Sequence, residues 1–168
     1  MRGAWVWALV LAAAVVSSAG AATVDPVEAW RPMYPFIGTW KGARAGADGS
    51  VKVTRSYASS ATNHHLEITE AGGGRSHAAV WGIVSLDAER QVLVLRQFAP
   101  DGSVSDLTLE PRASTMGPLV FTSLGSGPAK TRITDERTGT KTFVERVERS
   151  AGGGPFAVVS ETRFERKD

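Results

Sequence analysis

Val51-Lys52-Val53-Thr54-Arg55-Ser56-Tyr57 is the stretch that decides the fold. Val51, Val53 and Tyr57 fall on one face, and Lys52, Thr54 and Ser56 on the other. A period of two with one apolar face marks a strand in a sheet with one wet side. The alternation returns late in the chain, where Phe156, Val158 and Phe164 share a face against Glu161, Arg163 and Glu165. Between these stretches no 3.6-residue period is sustained. Runs of five to eleven residues are instead punctuated by turn signals: Ala47-Asp48-Gly49, Gly72-Gly73-Gly74, Leu86-Asp87-Ala88, Pro100-Asp101-Gly102, Gly125-Ser126-Gly127-Pro128, Thr138-Gly139 and Gly152-Gly153-Gly154. Such residues supply the backbone angles that tight connections need. They delimit about ten candidate strands, near residues 36–42, 50–58, 63–70, 75–84, 90–98, 103–110, 118–124, 130–137, 140–148 and 155–165.

Short links imply antiparallel neighbours. An antiparallel sheet of that size must hide its apolar face and its edges, and closing into an up-and-down barrel does both. The expected fold is therefore all-β, an antiparallel barrel of about ten strands, with a two-sheet β-sandwich as the alternative. Ahead of the strands, Asp25-Pro26-Val27-Glu28 reads as a capped helix start, and Pro32 and Pro35 keep that helix short.

The chain has 168 residues, 42% hydrophobic and 21% charged, which is the composition of one globular domain. Nineteen Lys and Arg against 17 Asp and Glu leave a net charge of +2, too small for a nucleic-acid footprint. Cysteine is absent, which excludes disulfides, thiolate metal sites, a cysteine nucleophile and a lipidated cysteine. Met1-Arg2-Gly3, the uncharged run Ala4 to Val16, and Ala19-x-Ala21 together have the three-part plan of a secretory signal peptide. The run is too short to span a bilayer, which takes about 20 apolar residues. Residues 1–21 are expected to be removed, leaving residues 22–168 as a single barrel domain with no stable membrane anchor. The expected location is the bacterial periplasm or the exterior. Five lysines beside 14 arginines suggest GC-rich coding and agree with a bacterial source.

Phe36-Ile37-Gly38-Thr39-Trp40-Lys41-Gly42 follows the helical turn and heads the meander. This segment resembles the first-strand motif of lipocalins and their calycin relatives. The longer form Gly-Thr-Trp-Lys-Gly is most similar to the nitrobindin branch and to secreted bacterial lipocalin-like proteins of unknown function. The resemblance implies a calycin-like barrel over about residues 26–166, with Gly38 and Trp40 as structural motif. It also implies an arginine after the last strand lying over the motif tryptophan, a role that Arg166 would fill. Nitrobindins hold haem through a histidine near the chain end, whereas the last histidine here is His77, which disfavours haem and leaves it as the alternative. No other cofactor is expected.

The ligand-binding candidates are Tyr57, His77, Trp81 and Arg96. His77, Ala79, Trp81 and Ile83 share a parity that offers an aromatic wall and one titratable donor, the usual make-up of a pocket. Tyr57 ends the Val51/Val53 face. Arg96 shares the parity of Val92, Val94 and Phe98; an inward Arg96 would bind a carboxylate, and the competing reading is a rim arginine paired with Asp or Glu. His64 and His65 point to opposite faces of a strand and cannot serve one ion, so no metal site is expected. Glu145, Glu148, Glu161 and Glu165 alternate with Arg146, Arg163 and Arg166, a pattern that reads as a solvated face. Nucleophile-elbow, P-loop and zincin motifs are missing. These features favour a module binding a small apolar or amphipathic molecule over an enzyme. The alternatives are a nitrobindin-like haem protein or isomerase on the same fold, and a filled barrel acting through surface contacts.

Overall fold

The computed structural model describes residues 26–168 except 47–48, 63, 74, 113, 115, 125–126 and 128. Residues 1–21, with the expected signal peptide, lie outside the described residues. A short helix, α1 (Pro26–Trp30), and a 3-10 turn at Tyr34–Phe36 precede ten strands. These are β1 (Gly38–Gly46), β2 (Gly49–Ser59), β3 (His65–Gly72), β4 (Arg75–Asp87), β5 (Val92–Phe98), β6 (Val104–Leu109), β7 (Leu119–Ser123), β8 (Lys130–Arg137), β9 (Thr142–Ser150) and β10 (Ala157–Arg166). Each strand pairs antiparallel with its neighbours in sequence, and β10 returns to β1 to close the barrel. Closure rules out the sandwich. Phe36, expected to open the first strand, belongs to the 3-10 turn instead, because Pro35 holds the chain helical there.

Closure is built around the motif tryptophan. Trp40 lies opposite Arg166 on β10 and Arg55 on β2. Its ring is buried and its Nε1 donates to the Phe36 carbonyl at 2.7 Å. The Arg166 guanidinium sits 4.5 Å from the Trp40 ring centroid and donates to the carbonyls of Pro35 (2.7 Å) and Ile37 (3.1 Å). Gly38 makes room for this clamp: its φ is 128°, and a Cβ there would stand 3.1 Å from Arg166 Nη1. Phe143 packs edge-on to Trp40 (4.9 Å) and Phe36 (5.2 Å) and stacks on Phe164 (4.8 Å). With buried Met33 these rings fill the end of the barrel beside α1, the capped end.

Parity breaks at two bulges. β3 pairs Ile68 with Gly82 and Thr69 with Val80, so Trp81 is an extra residue on β4. Trp81 and Val84 both face inward, and Ile83 does not continue the Trp81 face as its spacing implied. On β10 the register shifts between Val158 and Ser160. Val158 is therefore exposed while Phe164 is fully buried, and the expected shared face of Phe156, Val158 and Phe164 is split.

Candidate functional site

The inward face of β2 carries Val53, Arg55 and Tyr57, all buried. Arg55 has no exposed surface and lies at the centre of the barrel. Its Nε (3.1 Å) and Nη2 (2.7 Å) donate to Glu70 Oε2 on β3. Nη2 also donates to Glu145 Oε1 on β9 (3.1 Å), and Nη1 donates to Glu145 Oε2 and to Tyr57 Oη (3.4 Å). The guanidinium is sandwiched between rings, 4.1 Å from Trp81 and 4.8 Å from Phe164. Arg44, partly exposed on β1, adds a bond to Glu70 at 2.6 Å. A line of alternating charge thus runs Arg44, Glu70, Arg55, Glu145.

Burial opposes the Arg55 charge, but Glu145 and the other acidic neighbours outweigh it and hold the guanidinium protonated. Burial likewise opposes ionisation of Glu70, yet Arg55 and Arg44 keep its carboxyl below the usual range. Desolvation pushes the Tyr57 phenol up, and the neighbouring carboxyl groups of Asp135 and Glu145 add to it. Asp135 lies directly opposite Glu145 on β8. Its Oδ1 is buried without a hydrogen-bond partner among the described residues. Burial and the Glu145 charge raise its carboxyl well above the ordinary value, so it is held neutral.

The structure therefore brings Tyr57 and Trp81 together, at Arg55. Arg96 is on the outer wall: Leu93 and Leu95 of β5 take the interior, and Arg96 makes a bidentate pair with Asp106 on β6 (2.8 and 2.9 Å). It cannot serve an interior ligand, because its parity is opposite to that of the buried leucines. His77 lies on β4, and its side chain is outside the described residues. Glu145, read as part of a solvated face, is instead buried and ion-paired; its neighbours Glu161 and Arg146 do form an outer pair. Arg55 and Glu70 escaped the sequence reading altogether. The available signal was parity, since Arg55 stands between Val53 and Tyr57 on the apolar face.

The capped end holds a second feature, a pocket of about 650 Å³ between the N-terminal segment and the ends of β2, β3 and β4. Val27, Trp30, Met33, Ile37, Leu66 and Leu86 supply its apolar walls. Tyr34, Ser59, His64 and His65 supply polar tips; β3 begins only at His65, so the two histidines line one pocket and do not take opposite strand faces as expected. Among the described residues no group of three His, Cys, Asp or Glu could hold a metal, and no helix is long and apolar enough to cross a membrane.

No protein-family model and no curated protein matches the chain. Solved structures do. The S-type phycobiliprotein lyase CPES from Guillardia theta is 11% identical at a TM-score of 0.50, covering 84% of this chain and 93% of that one. A de novo designed fluorescence-activating β-barrel is 15% identical at a TM-score of 0.39, covering 82% of this chain and 98% of its own. EF1p2_mFAP2b bound to DFHBI is 11% identical at a TM-score of 0.39, covering 83% and 99%. At such identities the likeness is one of fold, and the ten-stranded closed sheet is a lipocalin- or calycin-like barrel in the general sense.

Proposed function

We propose that this chain is an exported barrel that binds a small amphipathic molecule in the capped-end pocket. The observation that carries this reading is the pocket's make-up: about 650 Å³, six apolar walls and a few polar tips. Ligand sites of about 300–1,000 Å³ with mostly apolar walls and a few orienting polar groups are the rule for small molecules. The apolar body of the ligand lies against Trp30, Ile37, Leu66 and Leu86. Its polar end meets the imidazoles of His64 and His65 and the hydroxyls of Ser59 and Tyr34. The barrel centre has a different part, since every donor direction of Arg55 already has an internal acceptor or ring. It acts as a rigid frame. Export rests on Arg2, the Ala4 to Val16 run and Ala19-x-Ala21. No catalytic role is proposed.

Titration with a fluorescent fatty-acid analogue, backed by native mass spectrometry of the purified protein for co-purified lipid, tests the reading. The expected result is saturable binding that Trp30→Ala weakens about tenfold or more, the loss of one large apolar contact. Binding unchanged in Trp30→Ala and in His65→Ala, with both variants folded, would overturn it.

A further inference from the structure

The outer wall of this barrel pairs its charges rung by rung. Arg96 and Asp106 face each other across β5–β6, Arg132 and Glu148 across β8–β9, and Arg146 and Glu161 across β9–β10, and each set closes to 2.7 or 2.8 Å. The face made by β10, β1 and β2 breaks this habit. There one rung runs Val144, Arg163, Ala43, Lys52, with no carboxylate in it. The next runs Thr142, Glu165, Lys41, Thr54. Lys41, Lys52 and Arg163 are all exposed, and none makes an ion pair among the described residues. Glu161, the other same-face acid beside Arg163, is taken by Arg146.

Between these cations lies a groove of about 810 Å³ over Ala43 and the β1–β2 backbone at Gly42 and Val53. Its shape follows from the sequence. Gly42 points inward against the Phe164 ring, where a Cβ would come within 2.8 Å, and Ala43 offers only a methyl outward. Lys52 and Arg163 flank Ala43 on either side, two strand spacings or about 9.6 Å apart at the backbone. Lys41 is two residues along β1, about 7 Å away on the same face. Three long cationic side chains therefore surround one shallow depression, and each can reach the same point above Ala43.

We propose that this groove binds the phosphate or sulfate group of a soluble small molecule. Lys52 and Arg163 neutralise the two charges of a phosphate monoester, with Arg163 able to present parallel N–H donors. Lys41 and the hydroxyls of Thr54 and Thr142 supply further donors, and Glu165, opposite Lys41, is the one carboxylate in the lining. A lipid surface fits less well. The exposed large apolar residues among those described, such as Val104, Met116, Val158 and Val159, lie outside the groove lining. The site is on the outer wall, separate from the capped-end pocket, and does not depend on what that pocket holds.

Calorimetric titration with inorganic pyrophosphate at low salt tests the proposal, with amide NMR shifts used to locate the site. The expected result is one site with shifts centred on Ala43, Lys52 and Arg163. Arg163→Gln and Lys52→Gln should each raise Kd about tenfold, the loss of one charge-assisted contact. Lys130→Gln removes the same charge from exposed β8, outside the groove, and should change nothing. Equal weakening by Lys130→Gln would show attraction to net charge alone and overturn the site. So would an absence of pyrophosphate binding. Binding to phosphatidylglycerol vesicles without binding to pyrophosphate would reject the soluble ligand in favour of a membrane surface.

Discussion

Replacing Arg55 by methionine is the sharpest perturbation of the barrel centre. The substitution keeps much of the stem packing and removes the charge. In the native protein Arg55 contributes the cation for Glu145 and two of the bonds to Glu70, all buried. Once it is gone, Glu70 retains Arg44 at 2.6 Å, whereas Glu145 keeps no cation among the described residues. Breaking a buried pair by removing one partner costs about 3–5 kcal/mol, because the stranded charge stays desolvated. Arg55→Met is expected to lose that much at neutral pH, measured by urea unfolding with the slope unchanged. Arg55→Met/Glu145→Gln should recover at least about 1 kcal/mol, the coupling expected of residues in contact. The pH dependence has a definite sign. The Glu70 carboxyl is held below its unfolded value, near 4.3, so its stabilisation is present above that pH and fades as pH falls through the folded value. A stranded buried carboxylate is also relieved by taking up a proton. The gap between wild type and Arg55→Met should therefore narrow toward pH 4. A cost below about 1 kcal/mol that is flat with pH would refute the buried network and mean that water reaches these groups.

Arg166→Ala should lower stability by about 1–2 kcal/mol through loss of the Trp40 contact and two carbonyl bonds, while exposed Arg163→Ala leaves thermal unfolding nearly unchanged; equal melting shifts would contradict the clamp. Asp135 has a raised folded value, so its favourable state is complete below its unfolded value near 3.9 and is lost as pH rises through the folded one. Asp135→Asn should accordingly gain stability relative to wild type as pH rises above about 4, by about 1–3 kcal/mol, and a pH-independent difference would count against a raised Asp135 carboxyl. N-terminal sequencing of protein recovered from the host envelope or medium should begin at Ala22, give or take about two residues, whereas a retained Met1 would exclude cleavage.

The fold was legible because alternation and turn chemistry act locally. Val51, Val53 and Tyr57 announce an inward face, and the glycine clusters announce the hairpins, without reference to distant residues. The pairing of Trp40 with a terminal arginine was legible for a related reason: closing a meander brings its first and last strands together, and parity selects Arg166 over Arg163. The barrel centre was not legible. Arg55 meets Glu145 across 90 residues of chain, and that contact exists only after the sheet closes in one register. Glu145 lies in a run of alternating charge that looks solvated along its own strand, and only β2 reaching over from across the lumen makes it an interior residue. Bulges did the remaining damage. An extra residue at Trp81 or Val159 reverses every later side chain, and the sole local hint was the glycine after Trp81. Of the two readings of Arg96, the structure has the rim arginine paired with an aspartate, on the outer face with Val92 and Val94 and opposite Leu93 and Leu95.

The buried charges also explain where ligand space is and is not. Ten strands enclose a wider lumen than eight, and ordinary aliphatic side chains leave the axis of such a barrel unfilled. Here the aromatic rings of Trp40, Phe143 and Phe164 fill the capped end, and a long guanidinium with two glutamates fills the level above. These three side chains start from β2, β3 and β9, and in the wall β2 and β9 are separated by β1 and β10. Arg55 therefore acts as a tie across the lumen and not as one more rung along the wall. A slip of one residue in β2 would turn Arg55 outward and leave buried Glu145 without its cation, so the tie penalises wrong closure registers as well as bridging the correct one. The same filling that secures the register occupies the centre of the lumen with Arg55, Glu70 and Glu145. Two open sites lie at the surfaces of the filled barrel: the apolar pocket that α1 roofs at one end, and the cationic groove where Ala43 offers only a methyl to the outer wall.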